Sequence, residues 1–250
     1  DIKNANSKKK VTKLLSRVVR YRFWCIMGLI VLYPFYWMLM ASLEDPDQYI
    51  REVPAFLPKM VRFANYKEAF TTANLGRLFL NTAYVGIVST VLSLIITVLS
   101  AFAFARLEFK GKNIMFGALL ATMMIPGELF TITNYQTVNS FGWMNTYTVL
   151  IVPFLVSVFY IYLLRQNFMQ IPNELYLAAK VDGTSDLKYL WKVMIPLALP
   201  TLISITILKM MGAWNSYVWP RLVANREDMR MITNGLRNAF RADDGNLKYP

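Results

Sequence analysis

Two charged side chains, Glu128 and Lys209, lie inside long apolar stretches of this 250-residue sequence. A charge placed in the hydrocarbon core of a membrane is costly, so such residues usually pair with one another or contact a solute. Each lies toward the same end of its stretch, which makes an ion pair across a helical bundle one interpretation. The alternatives are a lysine whose ammonium extends to the membrane surface and a carboxylate that satisfies a helix break beside Pro126.

The residue types that most hydrolytic enzymes need are missing. The sequence contains no histidine and a single cysteine, Cys25. A Ser/His/Asp triad, a thiolate–imidazole pair, a histidine-based metal site and an internal disulfide are therefore excluded. The phosphate-binding motif G-x-x-x-x-G-K-[ST] does not occur either, because Gly111-Lys112 is followed by Asn113. We expect no catalytic residue, no metal and no cofactor in this chain.

A second set of side chains could bind a sugar, because aromatic rings cover its C–H faces and amides bond its hydroxyl groups. The candidates are Asn81, Tyr84, Trp214 and Asn215. Each has a plainer interpretation, since Trp and Tyr concentrate at membrane interfaces and a buried Asn often bonds a neighbouring helix. For Trp143 and Trp219 the interface interpretation is favoured.

The elements that must position these residues are transmembrane helices. Hydrophobic residues make up 56% of the sequence and charged residues only 17%, which is outside the usual globular balance. A helix needs about 20 apolar residues to cross a bilayer. The predicted spans are residues 23–43, 78–105, 113–133, 147–164 and 195–213. The polar residues 133–142 predict a turn between the third and fourth spans.

The basic residues predict the orientation of these helices. Residues 1–22 carry eight Lys and Arg against one acid, and the segments 106–112 and 165–192 are also basic. All three should be cytoplasmic, whereas the uncharged loop 134–146 should lie outside. A cleaved signal peptide is an alternative for the start, although 23–43 is longer than the apolar part of a typical signal.

The segment 165–194, called the elbow below, is longer than a loop between spans requires. Pro172 and Asn173 predict the start of a short helix, and Gly183 predicts its end. Ser185 is suited to cap a second short helix that begins at Asp186. An apolar stripe on that helix is predicted from Leu187, Leu190, Trp191 and Met194. The alternative is an amphipathic hairpin that binds lipid headgroups.

At the elbow the sequence resembles the integral membrane permeases of binding-protein-dependent ABC importers. Their cytoplasmic signature is Glu-Ala-Ala, three residues, Gly, nine residues, Ile, one residue and Leu-Pro. This sequence keeps that spacing with Leu177-Ala178-Ala179, Gly183, Val193 and Ile195-Pro196. Leu177 replaces the leading Glu of the signature, and Glu174 lies one turn earlier.

Shorter motifs in the same order resemble the carbohydrate-importing branch of that family. They are Pro34-Phe35-Tyr36-Trp37-Met38, Phe79-Leu80-Asn81-Thr82, Ile125-Pro126-Gly127 and Trp214-Asn215-Ser216-Tyr217. The resemblance covers roughly residues 33–240.

The resemblance implies a fold and a set of partners. The fold is an all-α, polytopic transmembrane bundle in a bacterial or archaeal inner membrane, with a cytoplasmic N-terminus. The chain would form half of a sugar or oligosaccharide pathway beside a second homologous permease. Two cytoplasmic ATPases would hold ATP and magnesium, and an external solute-binding protein would deliver the solute. Lipid surrounds the chain, and no nucleic acid is involved.

The resemblance also implies that the elbow contains the coupling helix, which docks on an ATPase. The residues expected at that contact are Glu174, Ala178, Ala179, Asp182, Gly183 and Ser185. The expected pathway residues are Asn81, Tyr84, Glu128, Lys209, Trp214 and Asn215.

The expected organisation is a basic cytoplasmic segment 1–22, a permease domain 23–213 and an external segment 214–250. The family has six core spans, whereas this sequence supplies five. We therefore expect the native polypeptide to continue beyond Pro250 with an apolar segment of about 20 residues and a short basic tail.

The main alternative function is an ion-coupled secondary transporter or a channel subunit. That class predicts paired inverted repeats or several carboxylates at the middle of the membrane, and the sequence has neither. An intramembrane enzyme is disfavoured because the usual nucleophile and base pairs are missing.

Overall fold

The computed structural model of the chain describes residues 2–45, 56–58 and 60–239, with side chains for residues 13–237 of these ranges. The described residues form helices, turns and irregular segments and contain no strand, which confirms the predicted all-α class. The described chain divides into a first unit within Asp1–Thr72 and a second unit, Ala73–Gly245.

The first unit contains the helices α1 (Ile2–Leu43) and α2 (Ala64–Thr72). Buried Asn65 joins them, because its amide donates to the carbonyl of Ser42 at 3.1 Å and to that of Glu44 at 2.8 Å. At 1.5 Å per residue, the 42 residues of α1 extend about 63 Å, twice the thickness of a hydrocarbon core. Residues 2–22 of the basic segment are therefore helical and continuous with the first apolar segment.

The second unit contains eleven described α-helices. They are α3 (Leu75–Arg106), α4 (Lys112–Thr122), α5 (Thr131–Ser140), α6 (Tyr147–Ile151), α7 (Val158–Gln170), α8 (Asn173–Val181), α9 (Asp186–Tyr189), α10 (Ile195–Leu197), α11 (Leu199–Trp214), α12 (Val218–Val223) and α13 (Ile232–Ala239). Helix α3 is the central element, and α7 and α11 pack along it. Short 3₁₀ segments precede α5 and follow α6, and a π-helical turn, Leu190–Met194, joins α9 to α10.

Two apolar clusters stabilise the second unit. The elbow-side cluster contains Phe102, Leu164, Phe168, Tyr189, Leu190, Met194 and Ile205. The distal cluster contains Val85, Val149, Ile151, Trp219, Val223 and Met231. Helix α3 contributes to both clusters, so it connects the elbow to the opposite end of the unit.

Three of the five predicted spans are broken helices. Helix α4 and the helical segment Gly127–Ser140 meet at 84°, because Pro126 cannot continue the hydrogen-bond pattern of α4. Tyr147–Phe154 and α7 are bent by 46°. Asp186–Leu197 and α11 are bent by 81°, where Pro200 lacks the N–H that would bond the preceding turn.

The span count therefore depends on how the broken helices are counted. Among the described residues, Lys13–Leu43 and α3 are long and apolar enough to cross a membrane unbroken, and the total rises to five if each bent pair is one span.

The predicted turn at 133–142 is wrong. Helix α5 occupies most of that segment, and the irregular connection begins only at Phe141. Polar residues such as Asn134 and Gln136 do not prevent a helix whose backbone N–H and C=O groups bond one another.

Candidate functional site

The first helix of the elbow begins where proline chemistry predicts. Helix α7 ends at Gln170, and Ile171 is extended, with φ −72° and ψ 128°. Proline disfavours the helical conformation of the residue before it, and Ile171 directly precedes Pro172. Helix α8 then starts at Asn173.

The end of α8 is a glycine-based C-cap. Gly183 has φ +68°, the left-handed conformation that glycine adopts without strain. The N–H of Gly183 donates to the carbonyl of Lys180 at 3.0 Å, and the N–H of Thr184 donates to that of Ala179 at 2.8 Å. These two bonds form a Schellman motif, which satisfies the last carbonyls of the helix. The predicted stop at Gly183 is confirmed.

A polar contact holds the two short helices of the elbow together. The hydroxyl of Tyr176 donates to Oδ1 of Asp186 at 2.8 Å, and Nζ of Lys180 lies 2.7 Å from the same oxygen. The ring of Tyr176 also packs on that of Tyr189, with centroids 5.2 Å apart. Burial and the hydrogen bond to Asp186 raise the pKa of Tyr176, and the same carboxylate raises the pKa of Lys180. Both groups therefore stay protonated at neutral pH and keep donating.

Arg106, the last residue of α3, connects the base of the elbow to the central helix. Its guanidinium donates to the carbonyls of Phe168 and Ile171 at 2.9 and 2.5 Å and reaches Oδ1 of Asn173 at 3.4 Å. These acceptors lie at the end of α7 and the start of α8, where helix ends leave backbone groups unpaired. The base of the elbow is therefore attached to the end of α3 by hydrogen bonds.

Arg165 forms a second contact at the base. Its Nε donates to the carbonyl of Phe104 at 3.1 Å, and its guanidinium lies 4.0 Å from the ring centroid of Phe116. The hydrogen bond joins α7 to α3, and the cation–π contact joins α7 to α4.

The tip of the elbow is exposed and apolar. Its exposed apolar residues are Leu175, Leu177, Val181, Leu187 and Trp191. Val181 is 88% exposed, and no residue of α8 is fully buried. Apolar side chains clustered on a protruding surface are typical of a contact with another protein or a membrane.

The predicted coupling residues share this surface. Glu174, Ala178, Asp182, Gly183 and Ser185 are exposed, and Ala179 is half-buried. Ser185 occupies the N-cap position of α9, but its side chain makes no capping hydrogen bond. The predicted N-cap position of Ser185 is therefore confirmed, whereas the capping hydrogen bond is not formed.

The predicted apolar stripe after Asp186 is only half correct. Leu190 and Met194 are fully buried, whereas Leu187 and Trp191 are 60% and 65% exposed. The π-helical turn adds a residue to the helical repeat at this point, so the spacing of an ideal α-helix no longer describes one face. Tyr189 takes the core position instead.

The predicted pair of Glu128 and Lys209 is not formed. Nζ of Lys209 donates to the carbonyl of Phe154, and the ion pairs of the described residues do not include Glu128. Glu128 is exposed in the 3₁₀ turn Gly127–Phe130. The chain turns by 84° at the break before Glu128, so this residue does not continue the direction of α4.

Asn81 has a structural role in place of the predicted contact with a solute. It is 3% exposed, and its amide donates to the carbonyls of Asp228 and Arg230, both at 2.9 Å. Its carbonyl oxygen accepts the hydroxyl of Tyr147 at 2.9 Å. Neither amide hydrogen is left for a sugar. Tyr84 remains half exposed, with its ring edge against Tyr147.

The aromatic residues after α11 differ in their surroundings. Trp214 packs edge-to-face on Phe79 with centroids 5.3 Å apart, and Asn215 is exposed at the C-cap of α11. Trp219 is only 7% exposed, and its Nε1 donates to the carbonyl of Val149 at 2.9 Å. The interface interpretation of Trp219 is therefore wrong, because this ring lies in the distal cluster.

Four residues that hold the elbow together were not predicted from the sequence: Arg106, Arg165, Tyr176 and Tyr189. In the sequence pattern the two arginines indicate only the orientation of the helices. Arg106 ends a long helix, and a basic residue in a last turn is a signal for bonds to carbonyl groups. The two tyrosines had no local signal.

Comparisons with known proteins agree with this architecture. Residues 93–243 match the family described as binding-protein-dependent transport system inner membrane component. The chain is 30% identical to the diacetylchitobiose uptake system permease protein NgcG of Streptomyces coelicolor, over 84% of this chain and 70% of the relative. It is 31% identical to the arabinooligosaccharides transport system permease protein AraQ of Halalkalibacterium halodurans, over 92% of this chain and 83% of the relative.

Two further similarities extend this range. The sn-glycerol-3-phosphate transport system permease protein UgpE of Brucella suis is 30% identical, over 85% of this chain and 78% of the relative. A crystal structure of a bacterial ABC transporter involved in the import of the acidic polysaccharide alginate superimposes with a TM-score of 0.80 at 26% identity. That match covers 92% of this chain and 81% of the other. The chain therefore belongs to the family of binding-protein-dependent transport system inner membrane components.

Proposed function

We propose that this chain is one permease subunit of an ABC importer for a sugar or oligosaccharide. The family and the names of the relatives, which include diacetylchitobiose and arabinooligosaccharide permeases, support the solute class. The chain would form half of the pathway with a second permease, and an external binding protein would deliver the solute. Two ATPase subunits would hold ATP and magnesium and supply the energy, so this chain itself performs no catalysis.

The observation that carries this proposal is the elbow, which has an exposed apolar tip on a base that is bonded to the central helix. Leu177, Val181 and Leu187 present apolar surface at the tip, while Arg106 holds the base. A surface that only bound lipid would need no such connection to α3. We infer that the tip docks on an ATPase and that its movement reaches the transmembrane helices through Arg106.

The proposed orientation follows from the same contact. The elbow and the basic segments would lie in the cytoplasm, together with the N-terminus, and the segment 214–239 would lie outside. The exposed apolar faces of α1 would contact lipid or the second permease. An added cysteine labelled by a membrane-impermeant maleimide would test this orientation, with Lys188→Cys protected in intact cells and Asn225→Cys labelled.

Val181 offers a direct test of docking, because it is 88% exposed and its replacement should not disturb the fold. Val181→Asp places an unpaired carboxylate in the docking surface, and Val181→Thr keeps the shape of the side chain as the matched control. We expect Val181→Asp to weaken association with the ATPase about tenfold, since burial of an unpaired charge is costly. The measurement is co-purification of the tagged complex and its solute-stimulated ATP hydrolysis. Equal association and hydrolysis for both variants would contradict the proposal.

A further inference from the structure

A cavity of about 450 Å³ lies within the second unit, between α3, the break that precedes α7, and α11. Its volume is in the range of small-molecule sites. The cavity exists because the chain is irregular between Phe154 and Val158, which leaves a gap where a continuous fourth span would be filled by helix. Irregular backbone at membrane depth is tolerated where it lines a cavity or is covered by protein.

Lys209 supplies the positive charge of this cavity. Its ammonium donates to the carbonyl of Phe154. A lysine has three donor hydrogens, so two remain. No Asp or Glu lines the cavity, and no described carboxylate pairs with Lys209. A charge in an apolar setting requires compensation, and within the described chain one carbonyl is all that it has.

Hydroxyl groups line the same cavity. Ser157 accepts the N–H of Tyr160 at 3.5 Å, which leaves its own hydroxyl hydrogen to donate. The hydroxyl of Ser216 makes no hydrogen bond among the described residues, and the side chain of Tyr160 also lines the space. Trp219 adds an aromatic wall. This combination of one cation, several hydroxyls and an aromatic ring fits a solute that carries both a negative group and sugar hydroxyls.

We propose that this cavity binds the anionic group of a hydroxylated solute at Lys209, while Ser157 and Ser216 bond neighbouring hydroxyl groups. The inference rests on the proposed function, whose solute class it narrows to acidic sugars or sugar phosphates. Carboxylate and phosphate share the chemistry that Lys209 recognises, because a lysine ammonium acts as a compact point charge. The experiment must therefore separate these two sources.

The test uses the complete importer in nanodiscs without ATP. Cys25 is the only cysteine and can be replaced by serine. Val156 lines the cavity, so Val156→Cys provides a maleimide-reactive reporter whose protection measures occupancy. The probes are galacturonobiose against neutral galactobiose, and glucose 6-phosphate against glucose. The variants are Lys209→Met, the charge-preserving Lys209→Arg, and Lys67→Met as a matched substitution of an exposed lysine outside the second unit.

We expect at least one charged probe to protect the reporter about tenfold better than its neutral counterpart, as one compensated charge allows. Lys209→Met should abolish this preference, whereas Lys209→Arg and Lys67→Met should retain it. The probe pair that shows the preference identifies the carboxylate or the phosphate. Equal protection of the reporter by charged and neutral probes would overturn the proposal. Protection of the reporter in phosphatidylglycerol nanodiscs without any probe would also overturn it, because a lipid headgroup would then occupy the cavity.

The proposed function is judged separately. Association with the ATPase, measured on the same preparations, depends on the elbow and needs no occupied cavity. A complex that contains the ATPase but shows no charge preference would overturn only this inference. A chain that never associates with an ATPase would overturn the proposed function, whatever the cavity binds.

Discussion

The elbow and the segment after α11 lie at opposite ends of helix α3 and use polar side chains differently. Polar side chains of α3 hold the segment 214–239 in place, because the amide of Asn81 donates to the carbonyls of Asp228 and Arg230. The hydroxyl of Thr82 likewise accepts the N–H of Ile232 at 2.8 Å. In the elbow such contacts are confined to the base, at Arg106, and to the contact of Tyr176 with Asp186, and the tip stays exposed.

This difference separates a fixed surface from a docking surface. Buried hydrogen bonds cost most when one partner is lost, so they keep the 214–239 segment in one conformation. An exposed apolar tip contributes little to the stability of the isolated chain, and its side chains gain burial only against a partner. The comparison predicts the largest stability effect at Asn81, an intermediate effect at the elbow base, and smaller effects in the two short helices of the elbow and the turn between them.

The largest effect is expected for Asn81→Leu. The substitution keeps the approximate size of the side chain but removes the amide donor to the carbonyls of Asp228 and Arg230 and the acceptor of the Tyr147 hydroxyl, at a cost of about 2–4 kcal/mol. The carbonyl of Asp228 keeps one other donor, Nε of Arg77 at 3.3 Å. Thermal unfolding of the purified complex in detergent measures the loss. Exposed Asn215→Leu is the matched control and should change stability by less than about 0.5 kcal/mol. Similar losses for both variants would remove the distinction between the two ends.

Arg106→Met should have the next largest effect. It removes the hydrogen bonds of a charged group to the carbonyls of Phe168 and Ile171, which are worth about 1.5–3 kcal/mol. We also expect faster hydrogen exchange in residues 168–175 and weaker coupling of ATP hydrolysis to transport. Arg106→Lys should recover only part of the stability and of the coupling, because the ammonium of a lysine cannot reproduce the planar set of donors of a guanidinium. Exchange that is unchanged in Arg106→Met would show that the base is held by packing alone.

Gly183→Val tests the turn at the tip. A β-branched residue at φ +68° is strained by about 1–2 kcal/mol, whereas Gly183→Asn tolerates the left-handed conformation and should lose less. The strain does not come from a steric clash with other residues, since none of their atoms lies within 4 Å of the position that a Cβ would occupy. ATPase association should follow the same order as stability. If valine and asparagine behave alike, the left-handed conformation is not what the tip requires.

The smallest effect is expected for Tyr176→Phe, which removes one hydrogen bond to Asp186 and leaves Lys180 in contact with that carboxylate. The expected loss is about 0.5–1.5 kcal/mol. The pKa of Lys180 is raised and that of Asp186 is lowered by their contact, so the contact should persist through neutral pH. It should weaken in strong alkali as Lys180 deprotonates and in acid as Asp186 is protonated. Tyr176 is protonated at neutral pH, so the stability difference between Tyr176→Phe and the native chain should be present there. If that difference were absent at neutral pH, the hydrogen bond of Tyr176 to Asp186 would not stabilise the elbow.

Several features of the elbow could be predicted because their causes lie within a few residues. Pro172 and Gly183 set the bounds of α8 through restrictions on their own backbone and that of their neighbours. The same holds for the break at Pro126. The polar segment 133–142 was mispredicted because composition alone does not prevent a helix.

The sequence by itself determined the all-helical class, the apolar segments, both ends of α8 and the motif spacing that indicated the family, whereas the predicted start of the elbow at residue 165 lies within α7, which ends at Gln170. Tertiary structure alone decided which side chains meet. Asn81 bonds a carbonyl 147 residues along the chain, and Arg106 bonds one 62 residues away. Lys209 lies at the carbonyl of Phe154 rather than beside Glu128, because three helix breaks change the directions of the spans. Backbone restrictions at proline and glycine are local, whereas a hydrogen-bond partner depends on where distant helices pack, and no single segment of sequence contains that information.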